Sequence, residues 1–322
     1  MQRLSVGLGN HNEENNTMKT IAWLAFFEGV ILAGILWLNP VFSSIGIIMP
    51  PDTGGIGNTA FIAPPMPKGI PTQVTAADIM IQYSTKADDW NQQPPDGATF
   101  LSQVEQRVLE LTNAERRQKR LKPLKHEDLL QKAARTHSLD MFVRQFFDHA
   151  NPEGRTPQDR VAIVHRGLIG TTGENIWSQN GWDFSKVDEL AQRAVNGWMN
   201  SPGHRENILR KKFTHLGVGG VGKGDQVWLT QNFASIQAFL KQPLNIELKQ
   251  GELLNLATNP VSQRRAPVKY AFWLPNKGVL AAEVLSISDQ QINVGPGEYR
   301  LRFYFPEKGR YLIYPGPQVV VK

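Results

Sequence analysis

The stretch from Ile21 to Leu38 is apolar over eighteen residues, close to the roughly 20 that cross a bilayer as a helix. It constrains the rest of the chain, because a protein threaded by such a segment delivers its later residues to the far side of a membrane. Glu28 lies inside the run, where a carboxylate costs on the order of 2.5–3.5 kcal/mol; Phe26, Phe27, Ile31 and Leu32 offset that. Arg3 and Lys19 precede the segment and no Lys or Arg comes after it until Lys68, so residues 1–20 are expected in the cytoplasm. Val41-Phe42-Ser43 also makes an acceptable small-residue cleavage pattern. Two outcomes stay open: a transmembrane anchor over 21–49, which the length favours, or a signal whose removal releases a secreted chain. Either way the bulk is exported.

Residues 50–98 read as a tether. Pro50-Pro51, Gly54-Gly55, Pro64-Pro65, Pro67, Pro71 and Pro94-Pro95 favour extended, semi-rigid chain. Only Ala76 to Tyr83 has the look of a short element. The absence of cysteine excludes disulfides, thiolate catalysis, iron–sulfur clusters and lipidation at a thiol. A formal net charge of +6 raises the question of nucleic acid, but the basic residues are scattered and do not interleave with aromatics. No nucleic-acid partner is expected; the charge suits a protein facing anionic envelope polymers or lipid.

Folded structure is expected over 99–240 and again over 241–322. Leu101, Val104, Val108 and Leu111 fall at helical spacing, and Leu130, Ala134, His137 and Met141 form a second stripe that puts His137 in the core. A third helix is expected from Ser185 as N-cap, burying Leu190, Ala194 and Trp198. Ser201-Pro202 restarts the chain as a short helix. Leu216 to Val221 and Val227 to Phe233 alternate as two strands joined at Gly222-Lys223-Gly224-Asp225. The irregular alternation of helix and strand predicts an α/β layered domain. Beyond Phe239 the runs 244–249, 268–273, 279–287, 299–305 and 311–314 read as short strands of a separate all-β, sandwich-like accessory domain.

Three islands carry the chemistry: FFDH (146–149), GENIW (173–177) and SPGHRENIL (201–209). Each contributes one group able to bind a proton or a metal, namely His149, Glu174 and His204. Two neutral imidazoles and a carboxylate that converge make a zinc site with an open position. His204, in the first turn of a capped helix, keeps its lone pair available because the dipole disfavours imidazolium. The same helix end is suited to an anion. Glu174 is then a ligand or a general base, or it pairs with Arg205 and accepts hydrogen bonds in a purely structural role.

The blocks LTNAERRQKRLKPL, ARTHSLDM, FFDH, GENIW, WMNSPGHRENIL, FTHLGVG and VWLTQNFA resemble, in order and spacing, the bacterial branch of the CAP superfamily, the SCP domain. The similarity covers residues 101–239. It implies an α-β-α sandwich with an open cleft lined by two His and two Glu. His149, Glu174 and His204 match three of the four; the fourth is expected near Ser201, where a serine stands, and Glu206 is the candidate replacement. The resemblance implies lipid binding or extracellular interaction. Two functions are open: an envelope binding module for a lipid, a wall fragment or a protein, or a metal-assisted hydrolase with His149 and His204 on zinc and Glu174 and His204 as catalytic candidates. No serine sits in a G-x-S-x-G setting, so nucleophilic serine chemistry is not expected.

Overall fold

The computed structural model describes residues 74–261 and 265–322. The expected cytoplasmic segment 1–20, the anchor 21–49 and residues 50–73 of the tether lie outside them. Among the described residues no helix is long and apolar enough to cross a membrane.

The last part of the expected tether is helix α1, Ala76–Gln92. Thr75 and Asp78 close a capping box on its first turn, and Ala77, Met80, Tyr83 and Ala87 are its buried residues. The sequence reading stops at Tyr83 because Lys86, Asp88 and Asp89 dilute the stripe from there on.

The first sheet is built from β1 (Thr99–Phe100), β2 (Lys125–His126), β3 (Leu168–Gln179), β4 (His215–Lys223), β5 (Gln226–Leu240) and β7 (Thr258–Pro260). Its order is β1-β4-β5-β3, with β2 on β4 and β7 on β5. Lys223 pairs with Gln226, so Gly224 and Asp225 form a two-residue turn, and Gly224 takes φ +61°. Alternation along β4 sends Leu216 and Val218 to one face, against α2 (Ser102–Gln118), α5 (Val187–Asn200) and α6 (Pro202–Leu209). The opposite face carries Gly217 and Gly219, where a Cβ would stand 2.0 Å from the Gln131 nitrogen and 2.1 Å from that of Arg135. These glycines let α3 (Asp128–Arg144) lie backbone against backbone on the sheet. Helices α1 and α4 (Pro157–Val164) complete that layer around Leu130, Ala133, Val161 and Ile163. The α-β-α layering is thus as expected.

Two local expectations fail. Ser185 is not the cap of α5, which starts after Lys186; the Ser185 hydroxyl donates to Asp183 at 2.7 Å instead. Strand β3 and helix α4 had no counterpart in the sequence reading.

The C-terminal region forms a second six-stranded sheet: β6 (Glu247–Leu248), β8 (Lys269–Leu274), β9 (Val279–Leu280), β10 (Leu285–Ser286), β11 (Gly297–Glu307) and β12 (Arg310–Val321). The order is β10-β8-β11-β12-β6, with β9 on β8. It is one sheet and not a sandwich, because β11 and β12 run longer than their apolar patterns suggested and pair with each other. Its apolar face is covered by Leu254, Leu256, Ile292 and Val294 from irregular chain and by Ile169, Ala238 and Leu240 of the first sheet. At the junction the Arg166 guanidinium donates to the carbonyls of Ala162, Leu244, Asn245 and Gln318. Arg300 of β11 pairs with Asp159 of α4. Both sheets lie within one compact unit.

Candidate functional site

Strand β3 ends the order of the first sheet and carries the GENIW island. Strand alternation divides the island between two layers. Gly173, Asn175 and Trp177 face α5 and α6. At Gly173 a Cβ would meet the Phe213 ring at 2.8 Å and the Asn207 side chain at 3.2 Å. Glu174 and Ile176 face the layer of α3 and α4.

The Glu174 side chain is fully buried. Arg160 Nη2 donates to Oε2 at 2.6 Å, and His149 Nδ1 lies 2.9 Å from Oε1. A carboxylate only accepts, so Nδ1 carries the proton of that bond, and in the neutral ring the lone pair is on Nε2. The Asn232 amide, turned with its nitrogen toward the carboxylate, adds a third donor to Oε2 at 3.1 Å. Burial by itself would raise the Glu174 pKa; Arg160 and the neighbouring imidazoles outweigh it and hold the group down at about 2.

Arg160 is itself buried, on a helix started by the Thr156–Asp159 capping box with Pro157 in its first turn. It also donates to the His149 carbonyl at 2.5 Å and the Arg155 carbonyl at 2.8 Å. One guanidinium therefore neutralises Glu174 and places the loop that presents His149. His137, in the core as expected, has its Nε2 3.1 Å from the Asp148 carbonyl and 3.7 Å from Glu174 Oε1. The carbonyl contact makes Nε2 the protonated nitrogen. Burial first, then the Arg160 charge, push the His137 pKa down to about 3, so the ring is neutral near pH 7. Near pH 7 Arg160, first among the groups that hold Glu174 ionised, is thus a full charge beside it.

His204 comes in from the other layer. Ser201 is the N-cap of α6 by backbone geometry and Pro202 occupies its first turn, although the Ser201 hydroxyl makes no capping bond. The rings of His149 and His204 face each other with centroids 6.4 Å apart and planes at 48°. An amide chain fixes α6 to the sheet. Asn207 donates to the Glu174 carbonyl and to Asn175 Oδ1, both at 3.0 Å. Asn175 donates to the His204 carbonyl at 3.2 Å and to Gln231 Oε1 at 3.0 Å, and Gln231 donates to Thr112 at 2.8 Å.

The structure thus brings His149, Glu174 and His204 together and puts half-buried Ser201 at the start of the same helix. It does not bring in Glu206, whose side chain is 67% exposed and pairs with Arg210 at 2.6 Å. On an eight-residue helix the position two after His204 faces away from it. Arg205 is not the partner of Glu174 either, since it donates to the Met199 carbonyl. Sequence reasoning missed Arg160, Asn175 and Asn207. The signal for Arg160 was present: a charge directly before the apolar run Val161 to Val164, just after a Thr-Pro helix start.

As a metal site the cluster offers two imidazoles, with Glu174 behind His149 as the carboxylate that fixes its tautomer. Among the described residues no group of three or more His, Cys, Asp or Glu is placed to hold an ion. The residues present offer at most two imidazoles, with ring centroids 6.4 Å apart. They do not supply the three protein ligands usual in catalytic zinc sites.

Layering, edge-strand carboxylate and facing imidazoles define an SCP-type cleft, and residues 109–233 match the family model described as CAP, the cysteine-rich secretory protein family. The chain carries a domain of this family. It is 42% identical over 134 residues to a protein of Bacillus subtilis (strain 168) named "Uncharacterized protein YkwD", covering 41% of this chain and 48% of that one. It is 36% identical over 129 residues to "Uncharacterized membrane protein YlbC" of the same organism, covering 40% of this chain and 34% of the relative. The chain therefore spans about half the length of the first relative and a third of the second. A solved extracellular protein containing an SCP domain, from Bacillus anthracis str. Ames, is 36% identical over 41% of this chain and 40% of its own, with a TM-score of 0.34.

Proposed function

We propose that this protein is an exported, membrane-anchored CAP-domain protein that works as a binding module of the cell envelope. Its ligand sits between His149 and His204. The carrying observation is the state of Glu174: buried, paired with Arg160 and held near pKa 2, it is a weak proton acceptor at neutral pH. Its work is to orient His149 and to tie α4 to the sheet. A ligand there would meet two half-buried imidazoles and, in the loop of His149, Phe147 at 42% exposure. Polar groups beside an apolar lip suit a small amphiphile, a wall fragment or a segment of another protein. The apolar run 21–38 and the naming of one relative as a membrane protein support the anchored location.

A second reading, a zinc-assisted hydrolase of peptide or ester bonds, draws on the Glu174–His149 hydrogen bond, the arrangement by which carboxylates fix zinc-bound imidazoles. When bound, zinc supplies Lewis acidity and an activated water. His149 and His204 would hold it, and Glu174 would keep the His149 proton on Nδ1.

Calorimetric titration of the full chain with zinc, beside His149→Ala and His204→Ala, separates the two. The binding reading expects weak zinc uptake and no ester or peptide cleavage. Micromolar or tighter zinc binding, lost in both variants together with cleavage activity, would overturn it.

A further inference from the structure

The outer face of the C-terminal sheet carries a feature that the cleft does not use. Alternation along β11 puts Tyr299, Leu301, Phe303 and Phe305 into the core and turns Arg302 and Tyr304 outward. Register then fixes their neighbours. Arg302 stands opposite Ala271 and Pro315, and Tyr304 opposite Lys269 and Ile313. Lys269 is therefore on the diagonal from Arg302, about 7–8 Å away in an antiparallel pair. Trp273 and Tyr311 flank them on the same face.

Both cations lie over rings. The Arg302 guanidinium carbon lies 3.2 Å from the centre of the Trp273 ring, and Lys269 Nζ lies 5.2 Å from that of Tyr311. Tyr304 meets Tyr311 edge-on at 6.1 Å. Stacking fixes the side chains while leaving their N–H donors unspent. Among the described residues neither cation forms an ion pair with a carboxylate. The charged and titratable groups acting on Arg302 are Tyr304 and Arg300; burial and then Arg300 lower its pKa, and Tyr304 opposes them. Arg300, by contrast, is taken up by Asp159. Beside the cations, Tyr311 and Ile313 are 45% and 44% exposed.

We propose that this face binds an acidic polysaccharide, with carboxylates of neighbouring sugars on Arg302 and Lys269 and a sugar ring against Tyr311 and Ile313. The planar guanidinium, preset by Trp273, matches a carboxylate in two parallel hydrogen bonds. The shallow aromatic surface fits the apolar faces of sugar rings. A second copy of the chain is disfavoured, because two faces of like charge would meet. A bilayer, which exposed Tyr311 and Ile313 would also suit, is the competing outcome of the test; the two stacked cations favour a polyanion.

The test is binding of oligogalacturonate to the full chain by calorimetry, beside neutral dextran oligomers and vesicles of equal parts phosphatidylcholine and phosphatidylglycerol. Arg302→Gln, Lys269→Gln and Arg302→Lys are compared, each checked for an unchanged melting temperature. Oligogalacturonate should bind and dextran should not, and affinity should fall about tenfold in either Gln variant, the loss of one charge-assisted contact. Arg302→Lys, which keeps the charge and loses the fork, should fall in between. Failure of oligogalacturonate to bind, affinity in Arg302→Gln and Lys269→Gln unchanged from the unaltered chain, or equal binding of dextran would overturn the proposal. Binding to the vesicles alone, lost in both Gln variants, would overturn it in favour of a membrane surface.

Discussion

Glu174 and Arg302 are both charged groups set against rings, and the molecule treats them in opposite ways. Glu174 is sealed in the interior with a guanidinium, an imidazole and an amide on its two oxygens. Arg302 lies on Trp273 at the surface of the second sheet, with no carboxylate paired to it among the described residues. The contrast comes from solvation. A buried charge persists only with its partners supplied, so its environment specifies structure. A surface cation can leave its donors to water, and thus to a ligand. Conspicuous chemistry at Glu174 is therefore mostly architecture, whereas the two stacked cations of the second sheet keep their donors at the surface.

The sharpest way to break this contrast is to remove Arg160. Arg160→Met strands a buried carboxylate and should cost about 3–5 kcal/mol in chemical denaturation. Adding Glu174→Met should restore much of the loss; failure to restore it would mean that the pair is not what holds the region. Asn207→Ala comes next. It leaves the Glu174 carbonyl and the Asn175 side chain each short of a donor, and about 1–3 kcal/mol should be lost.

Acid tests the same interior from another side. His137 is held below its unfolded pKa, so as pH falls below about 6.5 the unfolded chain takes up a proton that the native ring refuses until about pH 3. Stability should therefore decline on acidification through that window by up to about 1.4 kcal/mol per pH unit from this group. A slope left unchanged in His137→Asn would contradict the assignment. The smallest effect belongs to Glu206→Gln, an exposed i,i+4 pair whose loss should stay within about 0.5 kcal/mol and leave the cleft unaltered.

Helices α2 and α3 were legible because their apolar residues recur at helical spacing, and β4–β5 because two runs of approximate alternation flank a glycine turn. The three site islands were legible through the resemblance that their order and spacing carry. Strand β3 was not, since it is buried on both faces along much of its length and its alternation is masked by Gly170, Thr171, Thr172 and Gly173. Arg160 escaped for a related reason: next to Asp159 it reads as part of a solvated helix start, and nothing local says that the distant Glu174 lies against it. Glu206 was drawn into the site by proximity to His204 along the chain, which on a helix says nothing about facing. The single C-terminal sheet was hidden because what covers its apolar face is irregular chain and the first sheet, neither of which leaves a local pattern.

The most direct test is the ionisation of Glu174 itself, tracked by carboxyl carbon NMR on protein with labelled glutamate. Its folded pKa lies below the unfolded value, so the Arg160–Glu174 pair should contribute fully above about pH 4.5 and be lost as pH falls toward 2. The account expects no titration of this carboxyl between pH 4 and 8, values at which its neutral form is negligible for a group held near 2. A midpoint between about pH 5 and 7, the range of a working acid or base, would contradict it and return Glu174 to the chemistry of the cleft.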